Sequence, residues 1–149
     1  MAGARAAALS ATATDQISEL IDLLATQGDA ALTLPCPSRG KLGDGTVGAT
    51  AAHTAGSYHR IAAFLEGTVD ADGGEHQARS PDRDDLLERL SSARHALASL
   101  ARLTDEQLDV VPAASEMKLC DGRRTLEQIL SGLLRHQRHQ IDAVKAAVG

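Results

Sequence analysis

The sequence predicts an all-α protein, a four-helix bundle, on three observations. Four segments carry apolar residues at helical spacing, and none shows a sustained alternating strand pattern. The breaks between them hold Gly, Pro or Thr-x-x-Gln capping boxes. Strand-like residues are confined to fragments such as Asp109-Val110-Val111. Aromatic residues make up 1% of the 149, with Tyr58 and Phe64 the only two. The core must therefore come from Leu, Ile, Val and Ala. Each Ala buries little area, so such a core needs long continuous contacts, which a bundle provides.

Met1 to Thr14 is Ala-rich with Arg5 as its single charge, and has neither a sustained apolar stretch nor a cleavage site after one. Residues 1–13 are expected to form a flexible N-terminal arm, and residues 14–149 a single helical-bundle domain. The first helix is predicted from about Thr14 to Gln27 on the stripe Ile17, Leu20, Ile21 and Leu24, with Gly28 to stop it. Leu32 to Gly45 holds Pro35, Pro37, Gly40, Gly43 and Gly45, and reads as a loop longer than most connections. The second helix is expected over Thr46 to Glu66, where Val47, Ala51, Thr54, Tyr58, Ile61 and Leu65 lie near one line, with Gly67 to end it.

Thr68 to Arg79 is polar and Gly-containing, and is expected to be a solvated, mobile loop. Ser80-Pro81 predicts the start of the third helix, with Asp82, Asp84 and Asp85 near the positive end of its dipole. Leu86, Leu87, Leu90, Ala93, Leu97, Leu100 and Ala101 carry it to about Leu103. The capping box Thr104 to Gln107 opens a short turn ending before Pro112, and Glu116 to Gly122 reads as a connector with room for a few extended residues. A second box, Thr125 to Gln128, opens the last helix, which runs to near Val148. No internal repeat or second-domain signal is present.

The formal net charge of -5 argues against a general nucleic-acid binder, and the shortage of aromatics removes stacking platforms for single strands. No run approaches the length of a membrane span. Cys36 and Cys120 are far apart in no paired motif, which favours free thiols over a disulfide. The protein is expected to be soluble and cytoplasmic, with neither nucleic acid nor membrane as a partner.

On a helical wheel Leu126, Leu130, Leu133, Gln137, Ile141, Val144 and Val148 share the central face of the last helix. His136 and Gln140 stand one turn apart on its shoulder with Ile129 and Ala147, while His139 points away beside Arg135 and Gly132. Polar groups on a face that packs inward need partners. On the second helix His53 shares a shoulder with Ser57, Ile61 and Phe64, and His59 lies on the other side. Two ligands a turn apart on one helix and a third from a facing helix can bind a divalent ion, and imidazole suits zinc, nickel, iron or copper. Six His occur in the chain, so spacing alone favours the plainer reading, in which His136 makes an interhelical hydrogen bond and His53 lies on the rim.

Thr46-Val-Gly-Ala-Thr-Ala-Ala-His53 resembles the start of helix two in the DinB-like (YfiT-like) family of four-helix proteins. Asp121-Gly-Arg-Arg-Thr-Leu-Glu-Gln-Ile129, followed by His136-Gln-Arg-His-Gln140, resembles that family's last helix, and the Leu103 to Leu108 turn is also similar. The resemblance runs from about Asp15 onwards, through short and degenerate motifs. It implies an up-down-down-up bundle, a homodimer, and a divalent metal, zinc or nickel first, held by His53, His136 and residue 140. It also implies a thiol-dependent S-transferase or isomerase reaction of a small-molecule substrate, with a low-molecular-weight thiol such as mycothiol or bacillithiol as cosubstrate.

Residue 140 departs from the family's pattern, being Gln where the family has His. An amide oxygen is a weaker ligand than imidazole, especially for zinc. Three outcomes stay open: waters complete the shell, His139 swings in against the wheel, or the metal is lost and a polar pocket remains. In the last case the protein is a non-catalytic small-ligand-binding or dimeric interaction bundle. Tyr58 or Ser57 are candidates to orient substrate, although the apolar line makes Tyr58 first a core residue. Cys36, in the long loop, reads as an inert thiol lacking an assured base. Lys41 to Gly48 lacks the arrangement of a phosphate loop. Arg123 and Arg124 read as surface residues.

Overall fold

The computed structural model describes residues 3–36, 45–65, 82–114 and 120–149. Among them the protein is all-α, with five α-helices, two 3₁₀ segments and no strand. None of these helices is long and apolar enough to cross a membrane.

Helix α1 spans Ala4–Ala25, so it starts well before the expected Thr14. Ala6, Leu9, Ala13, Ile17, Leu20 and Leu24 are buried along one stripe, which makes residues 4–13 packed helix and not an arm. The expectation failed because Ala carries little hydropathic signal, yet at a helix interface it permits close approach of the neighbouring backbone. Arg5 fixes this end. Its Nε donates to both carboxylate oxygens of Glu127 at 3.2 Å, and its Nη2 donates to Glu127 and Asp109, each at 2.6 Å.

A 3₁₀ turn, Asp29–Thr33, follows and buries Leu32. The neck of the long loop is closed by an antiparallel bridge between Pro35 and Thr46. Cys36 N donates to Gly45 O at 2.8 Å and Val47 N donates to Leu34 O at 2.9 Å. Gly45 supplies the positive φ of 79° that this closure uses. Residues 37–44 lie outside the described set, as does the loop expected over Thr68 to Arg79.

Helix α2, Val47–Leu65, buries Val47, Ala51, Thr54, Tyr58 and Ile61 of the line read from the sequence, while Leu65 at its end is half-buried. Helix α3 spans Arg83–Ala96 and continues as a 3₁₀ segment, Leu97–Arg102. Its cap is Asp82, whose side chain accepts from Asp85 N, where the sequence suggested Ser80-Pro81; those two residues are outside the described set. Both capping boxes form, Thr104 with Gln107 on the one-turn α4 (Asp105–Leu108) and Thr125 with Gln128 on α5 (Leu126–Val148).

Helix α1 packs against α3, its 3₁₀ extension and α5, and α2 packs against α3 and α5. The shared interior is almost wholly aliphatic, with Tyr58 its largest fully buried side chain. On α5 the inward face holds Ile129, Leu130, Leu134, Gln137, Gln140, Ile141 and Val144. Leu134 is buried where the wheel placed Leu133, and Gln140 moves from the shoulder into the interior. The difference arises because α5 is flanked by both α1 and α2, which broadens its buried arc beyond the centre of the apolar stripe.

Candidate functional site

The polar residues of α5 meet α2 along one seam. Gln137 Nε2 donates to Thr54 O at 3.0 Å. Gln16, on α1, donates to Leu134 O at 2.9 Å and accepts from Tyr58 Oη at 2.7 Å. Thr54 is thus level with Gln137 and Tyr58 with Leu134, so α2 and α5 run antiparallel. Thr50, one turn earlier on α2, then lies level with Gln140 or its neighbours.

Of the proposed ligands, Gln140 is the most buried, at 1% exposure. Its amide Nε2 stands 3.2 Å from His136 Nε2, and its Oε1 is buried with no hydrogen-bond partner among the described residues. His136 itself is exposed, at the rim of the same turn. His53 is half-buried. Burial pushes its pKa below the ordinary imidazole value, and the positive charge of Arg60 pushes it further down. His139 is exposed and about 100° round the helix from Gln140.

Thr50 Oγ1 and Gln137 Oε1 join Gln140 Oε1 as buried oxygens with no hydrogen-bond partner among the described residues. A buried amide or hydroxyl left unmatched costs about 1–3 kcal/mol, so each of them marks a place where the fold accepts a cost. No group of three or more His, Cys, Asp or Glu side chains comes together among the described residues.

A divalent ion with bonds of ~2.0–2.2 Å places adjacent ligand atoms about 2.8–3.6 Å apart. The 3.2 Å between His136 and the Gln140 amide lies inside that range. A half-turn of the amide would bring Oε1, a possible ligand, to the position Nε2 holds. The donor set is then two imidazoles and one uncharged carbonyl, which fits a borderline ion that keeps water or an exogenous anion in its shell.

The other candidates fall elsewhere. Tyr58 is fully buried, its hydroxyl bound to Gln16 and its pKa pushed up by burial, so it is a structural residue and not a substrate contact. Ser57 Oγ accepts from Arg60 Nη2 at 3.1 Å. Cys36 and Cys120 are both free and buried. Arg123 is exposed and Arg124 half-buried, and Asp121 Oδ1 accepts from both of their backbone N–H groups. A shallow concavity of about 540 Å³ on α1, lined by Asp15, Glu19, Asp22 and, from α5, Lys145, was not foreseen. Gln16 was also missed, although it sits beside Ile17 in the α1 stripe, where a polar residue facing inward signals a partner. No protein-family model, curated protein or solved structure matches this chain.

Proposed function

We propose that this chain is a DinB-like four-helix bundle whose α2–α5 seam binds a divalent metal through His53, His136 and Gln140. The observation that carries the reading is the Gln140 side chain, 1% exposed, with its Oε1 unmatched among the described residues and its Nε2 3.2 Å from His136 Nε2; His53 is added by the resemblance. Helix directions support the bundle. Contacts of Arg83 with Gln27 and of Arg94 with Ser18 set α3 antiparallel to α1. Arg5 with Glu127 and Arg138 with Glu19 set α5 parallel to α1, and α2 opposes α5. These directions support an up-down-down-up order.

The chemistry implied by the resemblance is thiol-dependent S-transfer or isomerisation of a small-molecule substrate. When bound, the ion would act as a Lewis acid that favours a thiolate near neutral pH. The protein's own residues do the rest. Burial lowers the His53 pKa, which favours the neutral imidazole that a metal requires. Gln140 adds no charge, so an anionic ligand completes the site better than a neutral one. A metal-free polar pocket is the second reading, favoured by the direct His136–Gln140 contact, which already gives the Gln140 Nε2 a partner.

Gln140→His separates the two. Three imidazoles should bind zinc or nickel at least about tenfold more tightly than the parent, given the preference of these ions for nitrogen. An unchanged affinity, or none in either protein, contradicts the metal reading. A loaded protein should then accelerate thiol transfer to a small electrophile, and failure across several thiols would remove the transferase part alone.

A further inference from the structure

Two clamps span the seam, and one is anchored next to both candidate histidines. Thr54 follows His53 on α2, Gln137 follows His136 on α5, and the Gln137 amide joins them at 3.0 Å while 1% exposed. The second lies one turn away, where Gln16 links Tyr58 to Leu134 O at 2.7 Å and 2.9 Å, with Gln16 5% and Tyr58 0% exposed. A single contact leaves a helix free to roll about it. Two contacts on successive turns fix both roll and slide.

We propose that Gln137, backed by the Gln16–Tyr58 bridge, is a positioning residue that sets the rotation of α5 so that His136 and Gln140 face His53. This rests on the metal-binding reading above, and Gln137 itself does not touch the ion. Side-chain atoms lie ~5–6 Å from a helix axis, so a roll of about 20° would carry His136 Nε2 about 2 Å. Metal–ligand distances tolerate about 0.2 Å. Aliphatic packing alone is a poor guard against such a roll, because Leu, Ile and Ala surfaces fit together in several neighbouring rotations. A directional amide bond in the dry interior selects one of them.

Gln137→Leu tests this, since Leu fills a similar volume without a donor and also removes the unmatched Gln137 Oε1. Stability should hold while affinity for zinc or nickel falls about 10–100-fold, the usual effect of losing a group that orients a ligand. Leu87→Ala, on α3, serves as a control that lowers stability and leaves affinity in place. If the parent binds metal, an unchanged affinity in Gln137→Leu, or an equal fall in both variants, overturns the proposal. A parent that binds no metal overturns the functional reading, and amide hydrogen exchange then decides the positioning role. Faster exchange in residues 134–141 and 50–58 of Gln137→Leu, with α1 and α3 unaffected, upholds it, and an unaltered pattern overturns it.

Discussion

Removing the Tyr58 hydroxyl should destabilise the protein through a residue that keeps its ring. In Tyr58→Phe the packing of the ring is retained, but Gln16 Oε1 loses its 2.7 Å donor inside the core. Gln16 is 5% exposed, so water is a poor substitute. An orphaned buried acceptor costs about 1–3 kcal/mol. For a chain of this length ~2 kcal/mol corresponds to a fall in Tm of about 4–8 °C. Gln16→Met should cost a similar amount, because it orphans the Tyr58 hydroxyl, whereas Leu134 O keeps its place in the α5 ladder. The double variant leaves neither group stranded, so its cost should be smaller than the sum of the singles by ~1–3 kcal/mol. Urea denaturation followed by far-UV circular dichroism measures all three. Additivity within ~0.5 kcal/mol would refute the reasoning, since it would mean that Tyr58 and Gln16 are not partners.

The capping box of α5 should matter in the same way: Thr125→Ala removes the side chain that accepts from Gln128 N, and a loss of ~1 kcal/mol in the same assay is expected, with no loss contradicting the cap. His53 gives a pH signature in metal-free protein. Its folded pKa lies below the ordinary 6.5, so below that pH the unfolded chain binds more protons. Its contribution is therefore unpenalised above 6.5 and is lost progressively as pH falls from 6.5 toward the depressed folded value, then levels off. In His53→Gln that loss disappears, so the parent's stability relative to the variant should be flat at neutral pH and decline under acid. A difference independent of pH would contradict the burial of His53.

The fold class was legible because Leu and Ile stripes and two Thr-x-x-Gln boxes are strong local signals. Helix α1 was misjudged at its start because its first buried residues include Ala6 and Ala13, and an interface built on small residues leaves no trace in hydropathy. The position of Gln140 was only half legible. Its wheel angle put it on a shoulder, but its burial depends on how α2 leans over α5, a tertiary fact fixed partly by Gln137 and Thr54. Gln16 lies far from both histidines in sequence, and its link through Tyr58 emerges only when α1, α2 and α5 meet. The spacing of His136 and Gln140 could be read directly, since residues four apart on a helix are neighbours whatever the fold.

The most direct test of the central claim is metal content in protein purified without a metal-affinity tag, comparing the parent with His136→Ala and His139→Ala. His136 contacts the Gln140 amide at 3.2 Å, whereas His139 is exposed about 100° away around α5. Near-stoichiometric zinc or nickel in the parent and His139→Ala, absent from His136→Ala, is the predicted result. Equal metal content in all three proteins, or none even after incubation with zinc, nickel and manganese, would contradict a metal site on the α2–α5 seam.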